Sequence, residues 1–484
     1  MLPGVYDTDQ DGSTGVAPQT DPTGIVAIVA ASSDGVTAID TPQMFTDLAS
    51  IQAAMGSGPL VELAAYFLAI TGKPVVLVRV TGAAATYGAI DHTKVTGTAV
   101  PTAGGTTPLD TFPVQVKIGV GGTIGVAGIT YVYSIDGGET WSPVQALGVA
   151  TSIAIPNTGV TFTLVAAQTF IAGDLFTCTT TGPRVIEADI ATATAALSST
   201  TLPWEVAFFD ADADQTMIAA VDAWLATLAA AGEYKWASLN TRLRTAGEDE
   251  PTYATAMQTI RNAASSKYSH VGAEGCDAIS PIRDVYMVRQ AHLGIIARAL
   301  AGDPARMASV PGDGPLEDIR ITTPSGAPKY HNEQKNPGLD DMGFSTLRSM
   351  PRKSGAFNTL TRLFSPLGSD WVFVPHARVM NEAKQIAYDA LSAITSLGVH
   401  TQKIKNAQGQ IVKVITEADA QKIEGLVNPE YTQQITGQNR ANAATFELSR
   451  SDDLSSNGPQ TLTYAIQVDA LRYIGKFVGV SKFI

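Results

Sequence analysis

Asp7, Asp9 and Asp11 alternate in YDTDQDG, with Gly12 next, and this is the opening half of a calcium-binding loop. Carboxylates at alternate positions can hold a hard cation, but the full loop needs a bidentate Glu at its twelfth position and a helix on each side. Counted from Asp7, the twelfth residue is Pro18, and upstream lies only MLPGVY, too short and too rich in Pro and Gly for an entering helix. The stretch therefore reads as an extended polar arm. GAEGCD (272–277) sets Glu274, Cys276 and Asp277 together after an expected strand, where a nucleophile could sit. A catalytic cysteine also needs a base placed in space, and a tight turn at a strand end is the plainer reading. GEDEP (247–251) offers three adjacent carboxylates, which complement the dipole of the helix expected to follow. VGGTIGVAG (120–128) has glycine spacing reminiscent of a dinucleotide loop, but no helix follows it. His92, His270, His292, His331, His376 and His400 are scattered, none beside a cysteine or a paired carboxylate at ligand spacing. No G-x-S-x-G elbow, Walker loop or H-E-x-x-H is present. The sequence assigns no catalytic residue, no metal ligand and no cofactor.

The totals narrow the class further. A chain of 484 residues, 45% hydrophobic and 16% charged, has the material for several well-filled domains. Its net charge of −13 and the lack of any basic run argue against a nucleic-acid partner, since neutralising phosphates takes clustered Lys and Arg. The N-terminus shows no basic segment followed by an apolar core, so no secretory signal is expected. IVAIVAA (25–31) and LVELAAYFLAI (60–70) are too short to span a bilayer, so a soluble protein without membrane insertion is expected. Cys178 and Cys276 form no disulfide framework or zinc spacing, and free, buried thiols are the expectation.

Something must position these residues, and the hydrophobic pattern says what. GIVAIVAA (24–31) and PVVLVRV (74–80) read as strands buried on both faces, and PQMFTDLASIQAAM (42–55) and PLVELAAYFLAI (59–70) as helices between them. That is a crossover unit of an α/β layer. From about 94 to 182 the helical period disappears. Short Thr-, Gly- and Val-rich runs between DGG, PNTG and AGD turns predict a β-sandwich inserted into the first domain. The α/β alternation resumes with a helix over 184–199, a strand over 204–210, a helix over 214–232, a strand over 234–240 and a helix from Pro251 to Tyr268. A long helix is expected over 281–302, loops over 303–343, a strand pair over 346–364 and a helix over 376–397. In TLTYAIQVDA (461–470), Leu462, Tyr464, Ile466 and Val468 alternate with smaller or polar residues, the pattern of a half-buried strand. LRYIGKFVGVSKFI (471–484) is β-prone and apolar and needs a covering partner. The expected organisation is an α/β and α+β multidomain chain: an N-terminal arm (1–20), an α/β body (21–93 plus 183–345), the inserted β-domain (94–182), a C-terminal α+β domain (346–470) and a C-terminal arm (471–484).

Several of these stretches, in this order, carry a family likeness. They are LPGVY (2–6), DPTGIVAIVAA (21–31), GSGPLVELAAYFLAITGKPVVLVRV (56–80), RALAGDPARMASVP (298–311) and WVFVPHARVMNEAKQIAYDALSAI (371–394). Through them the chain resembles bacteriophage contractile tail sheath proteins, and the 94–182 segment with YSIDGGETWS (133–142) resembles their variable outer domain. The DTDQDG run is more acidic than the resemblance leads one to expect. The resemblance implies a virion-tail protein assembled in the host bacterial cytoplasm, a homo-oligomer of hexameric rings stacked helically around a tail tube. It implies contact with the tube, baseplate and terminator proteins, and contraction that drives the tube through the host envelope. It also implies that the terminal arms add strands to a neighbouring subunit's sheet, a mode in which main-chain hydrogen bonds give affinity and alternate side chains give register. Val5, Tyr6, Tyr473, Ile474, Phe477, Val478, Val480 and Phe483 are the residues expected to make that exchange. Arg378, Glu382, Lys384 and Asp389, a mixed polar surface on the 376–397 helix, are expected to face the tube. A virion decoration or receptor-binding protein, and more remotely an α/β hydrolase, are the other readings of the same elements.

Overall fold

The computed structural model describes residues 22–366, 368–394, 398–456 and 461–473. GIVAIVAA supplies a central strand, Val26–Ala31, of a six-stranded sheet. In sheet order the strands are Ser269–Gly272, Trp236–Asn240, Val206–Asp212, Val26–Ala31, Val75–Val80 and Gln43–Phe45, parallel except for the last. Helices α1 (Leu48–Met55), α2 (Pro59–Thr71), α3 (Glu187–Ser199), α4 (Gln215–Ala230), α5 (Glu250–Ala263) and α6 (His292–Ala301) cover both faces. Alternation along each strand explains how one apolar run serves two cores. Val26, Ile28, Val75 and Leu77 pack with α1, α2 and α6, whereas Ala27, Val29, Val76 and Val78 pack with α3, α4 and α5. Two further helices, α7 (Val374–Ser392) and α8 (Glu417–Tyr431), belong to the C-terminal third.

Two expected helices are shorter than their apolar patterns. Gln43–Phe45 is an edge strand antiparallel to Val75–Val80, and α1 begins only after Asp47, whose carboxylate accepts the Ser50 N–H at 2.9 Å. Tyr286–Gln290 is a strand paired with Gly275–Ile279, and α6 starts at His292. In both places tertiary pairing overrides the local period.

The β-rich region begins before residue 94. Thr86–Tyr87 and Asp91–Lys94 already pair with Leu175–Thr181, which also pairs with Pro113–Val120. A second sheet joins Ser152–Ile155, Val160–Thr163 and Thr102–Gly105. The core between them includes Met287 from the body, with Val285 against it, so the β-rich region does not end its packing at its own sequence. Charge reinforces the join: Arg289 donates to both Asp110 carboxylate oxygens at 2.9 and 2.7 Å, both side chains buried. In YSIDGGETWS, the Asp136 carboxylate accepts from the Glu139 and Thr140 N–H groups and from the Ser134 and Thr140 hydroxyls. That turn presents Glu139 to Arg320 of the body.

The Pro- and Gly-rich stretch after α6 is pinned by a histidine. The His331 ring lies 2.9 Å from Glu250 Oε2 through Nδ1 and 2.9 Å from Glu333 Oε2 through Nε2, and its side chain is 3% exposed. Arg244 also reaches Glu250, at 2.9 Å. Two carboxylate partners need two N–H donors, so the ring is held as imidazolium. Burial pushes its pKa down, but the hydrogen bonds to Glu333 and Glu250 outweigh that and hold it above the ordinary histidine value. A raised folded-state pKa gives stability that is complete below about pH 6.5 and is lost as pH rises through the folded value. Wild type is therefore expected to lose thermal stability relative to His331→Gln as pH rises above about 6.5. Parallel pH courses for the two proteins would show that this ring carries no such linkage.

Candidate assembly surface

The C-terminal third holds two two-stranded sheets with free strand edges among the described residues. Ala441–Leu448 and Tyr464–Ala470 form a two-stranded antiparallel sheet, with Phe446 opposite Ile466 and Leu448 opposite Tyr464. Leu462, Ile466 and Val468 pack against the core that α7 and α8 share, as the alternation in TLTYAIQVDA predicts, and Tyr464 is exposed. One long edge is closed by side chains of α8. Asn428 accepts the Phe446 N–H at 2.8 Å and donates to its carbonyl at 3.0 Å, and Glu424 accepts the Leu448 N–H at 2.9 Å. The other edge, along Tyr464–Ala470, meets no strand among the described residues. Unpaired main-chain groups in a row are a template for another chain. The sheet's outer face carries Glu447 and Asp469, both exposed.

A second ribbon joins Thr401–Lys405 to Ile411–Ile415. Val412, Val414 and Ile415 are buried, and the outer side of that strand is closed where Leu454 N–H donates to the Lys413 carbonyl at 2.7 Å and Ser455 Oγ accepts the Lys413 N–H at 2.9 Å. Thr401–Lys405 is exposed throughout, and its outer edge too has no strand partner among the described residues. Neither α8's edge-closing pair nor this ribbon was foreseen from the sequence; Asn428 and Glu424 sit inside an ordinary helical pattern that gives no sign of the strand they cap.

Of the residues expected to exchange between subunits, Val5, Tyr6, Ile474, Phe477, Val478, Val480 and Phe483 lie outside the described residues. Tyr473 is described, and in the single chain it is engaged within its own subunit. Its hydroxyl donates to the Ala305 carbonyl at 2.6 Å, and its ring stacks on His376 with centroids 5.1 Å apart and meets Phe373 edge-on. His376 in turn binds the Leu471 carbonyl through Nε2 at 2.9 Å. Tyr473 is thus an anchor inside its own subunit.

The expected tube-facing set divides as well. Arg378 is buried: it donates to Glu205 through Nε and Nη2 and to the Ala299 carbonyl at 2.7 Å. It therefore presents no charge outward, and the expectation for it is corrected. The reason is that α7 is wedged between two cores, with Val374 and Ala377 in the body and Val379, Ala383 and Ala387 in the C-terminal unit. Glu382 pairs with Arg440, and the Lys384 ammonium lies over the Trp371 ring at 4.8 Å, with burial lowering its pKa. Asp389 is exposed, and its carboxylate accepts from Gln385 of its own helix at 2.9 Å.

The residues that raised chemistry in the sequence are structural. Cys276 is fully buried, and burial with the adjacent Asp277 charge pushes its thiol far above the ordinary range. Asp277 is itself engaged by Arg320, by Lys329 at 2.7 Å and by the Tyr330 hydroxyl at 2.8 Å. Glu274 adopts φ +67° at a tight turn. Both cysteines are free and buried. Ser238 Oγ lies 3.0 Å from His270 Nδ1 and 3.1 Å from His292 Nδ1, but all three are fully buried, and burial depresses His270 to about 3. A nucleophile sealed in a core meets no substrate. Open α/β sheets bind ligands outside the carboxyl ends of their strands where the strand order reverses, here between Val26–Ala31 and Val206–Asp212. That position is filled by the Arg184–Asp210 and Arg289–Asp110 pairs. No group of three or more possible metal-ligating side chains occurs among the described residues, and no described helix is long and apolar enough to cross a membrane.

No protein-family model matches the chain, and no curated protein matches it. Among solved structures it is similar to a protein of the anti-feeding prophage helical sheath in the contracted state, with TM-score 0.50, 10% identity, and coverage of 100% of this chain and 99% of that one. The same values relate it to a chain in the six-fold symmetrised baseplate of that particle. A sheath tail protein from Listeria innocua is similar at TM-score 0.46 and 12% identity, over 93% of this chain and 96% of that one. The chain has the fold of a contractile sheath protein.

Proposed function

We propose that the chain is the structural subunit of a contractile tail sheath. It polymerises as stacked hexameric rings around a tail tube, bounded by baseplate and terminator proteins, and its contraction drives the tube through a host envelope. The observation that carries this reading is the end-to-end likeness of fold to the helical sheath. Two open strand edges in the C-terminal unit support it, since they are acceptors for arms from neighbouring copies. Packed α/β bodies can then rotate as rigid units while arms hold the mesh, with the energy stored at assembly. The tube side of the subunit would include the exposed end of α7, at Tyr388 and Asp389. Microscopy of the purified chain tests the reading, with hollow striated cylinders as the expected product.

The β-rich region is proposed to lie on the outside of the assembly. Joining residues 93 and 183 is expected to leave cylinder formation intact, at a cost in subunit stability because Met287 loses its cover and Arg289 its carboxylate. A deletion variant that folds, by circular dichroism, yet no longer polymerises would place these sheets within the lattice.

A further inference from the structure

One end of the β-rich region is built from three loops on the same plan. IGVAG (124–128), LGVAT (147–151) and LVAAQ (164–168) each begin on a buried anchor, Ile124, Leu147 and Leu164. Within two positions each then turns a valine into solvent: Val126, Val149 and Val165 are 58%, 71% and 53% exposed. Gly125 and Gly148 make the outward turns at φ +91° and +62°, a conformation that a Cβ disfavours. Main-chain hydrogen bonds tie the loops together. Ala167 N–H donates to the Ile124 carbonyl at 3.0 Å and Ile124 N–H to the Gln168 carbonyl at 2.8 Å, while Leu164 N–H reaches the Thr151 carbonyl at 2.9 Å and Leu147 N–H that of Ile129 at 3.0 Å. The valines therefore project from one linked set of turns, with Ala127, Ala150 and Ala166 exposed beside them.

This end also lacks charge. Residues 118–135 and 140–173 contain no Asp, Glu, Lys, Arg or His, in a chain that is 16% charged and carries −13. Protein surfaces ordinarily intersperse both signs of charge, and an acidic chain repels its copies wherever acidic surfaces meet. Here two copies can approach without repulsion and without stripping water from a charge, and the cores of protein interfaces are depleted of charge for the same reason. A lipid surface is less well matched, since interfacial binding uses Trp, Phe or Leu beside basic residues, and the three loops contain no aromatic or basic side chain. We propose, resting on the sheath reading, that this end is a contact between copies, with Val126, Val149 and Val165 of one subunit packed against the charge-free end of a neighbour. Contacts that build a helical stack are heterologous, so different loops of the two ends meet. Each contact is small, and repetition along the stack multiplies it. Lying outside the framework of the lattice, it governs how long a cylinder lasts, not whether one forms.

The test uses two full-length variants, Val126→Asp/Val149→Asp/Val165→Asp and Val126→Lys/Val149→Lys/Val165→Lys. Both are expected to keep wild-type circular dichroism, because the side chains replaced are exposed. Cylinders of either variant alone are expected to dissociate on dilution about tenfold faster than wild type by light scattering, the scale of one valine's burial. Cylinders from an equimolar mixture are expected to outlast both, because opposite charges then face each other across the contact. Wild-type lifetimes in both variants overturn the inference while leaving the sheath reading standing. So does a mixture that dissociates as fast as its components, which would mean that the end meets something other than a copy; flotation of wild type, but of neither variant, with phosphatidylcholine vesicles would then assign it to lipid. Wild type that forms no cylinders removes the reading on which the inference rests.

Discussion

A chain ending at Tyr473 is expected to fold, stay soluble and form no stable cylinder. Contacts within the subunit are described up to that residue: the Leu471 carbonyl holds His376, and Tyr473 closes on Ala305, Phe373 and His376. What the truncation removes is IGKFVGVSKFI, an apolar, β-prone segment whose proposed partner is the open edge of a neighbouring Tyr464–Ala470 strand. Ending the chain three residues earlier, at Ala470, is a different experiment. It deletes the anchor too, and is expected to lower subunit stability by about 1–3 kcal/mol through the lost hydrogen bond and ring contacts. Thermal unfolding of the two truncations, with sedimentation of each, separates the roles. Polymerisation of the chain ending at Tyr473 at wild-type concentrations would remove the C-terminal segment from the lattice.

Arg378→Ala is expected to be among the most damaging single substitutions, costing about 3 kcal/mol, because it leaves the largely buried Glu205 carboxylate without its cation. Burial pushes that carboxyl up, but the Arg378 charge and its hydrogen bonds outweigh this and hold it below the ordinary carboxylate range. Glu205 also accepts the Gly24 N–H at 2.5 Å and Trp236 Nε1–H at 3.1 Å. One ion pair thus ties α7 to the start of the central strand and to its neighbour in the sheet. Replacing both partners by apolar residues, Arg378→Met with Glu205→Leu, is expected to recover much of the loss, since no unpaired charge remains. Denaturant unfolding of the three variants reads this out. A soluble Arg378→Ala subunit with wild-type unfolding and impaired tube binding would return Arg378 to the surface role suggested by its sequence.

That contrast shows what the sequence could and could not reveal. Strands such as VAIVAA and VVLVRV are legible because burial on both faces leaves an unbroken apolar run. The half-buried strand at 464–470 is legible because its two faces differ. Arg378 was misread because a helix packed between two cores carries a polar residue wherever a partner waits, and Glu205 lies 173 positions away. Gln43–Phe45 and Tyr286–Gln290 were misread because the helical period of their neighbours runs through them while the pairing that decides their state is distant. The pairing of Lys403 with Lys413 across the second ribbon was missed for a related reason. Lys403 and Lys413 are ten residues apart and become a pair only when the ribbon's register is known.

The central claim is that identical copies form a sheath by lending strands to one another. A helical reconstruction of the polymer formed by the purified chain tests it most directly. The account predicts hollow cylinders in which residues 474–484 of one subunit lie along the Tyr464–Ala470 edge of another. A chain that stays monomeric with and without tube protein, or cylinders in which every terminal segment folds back on its own subunit, would contradict it.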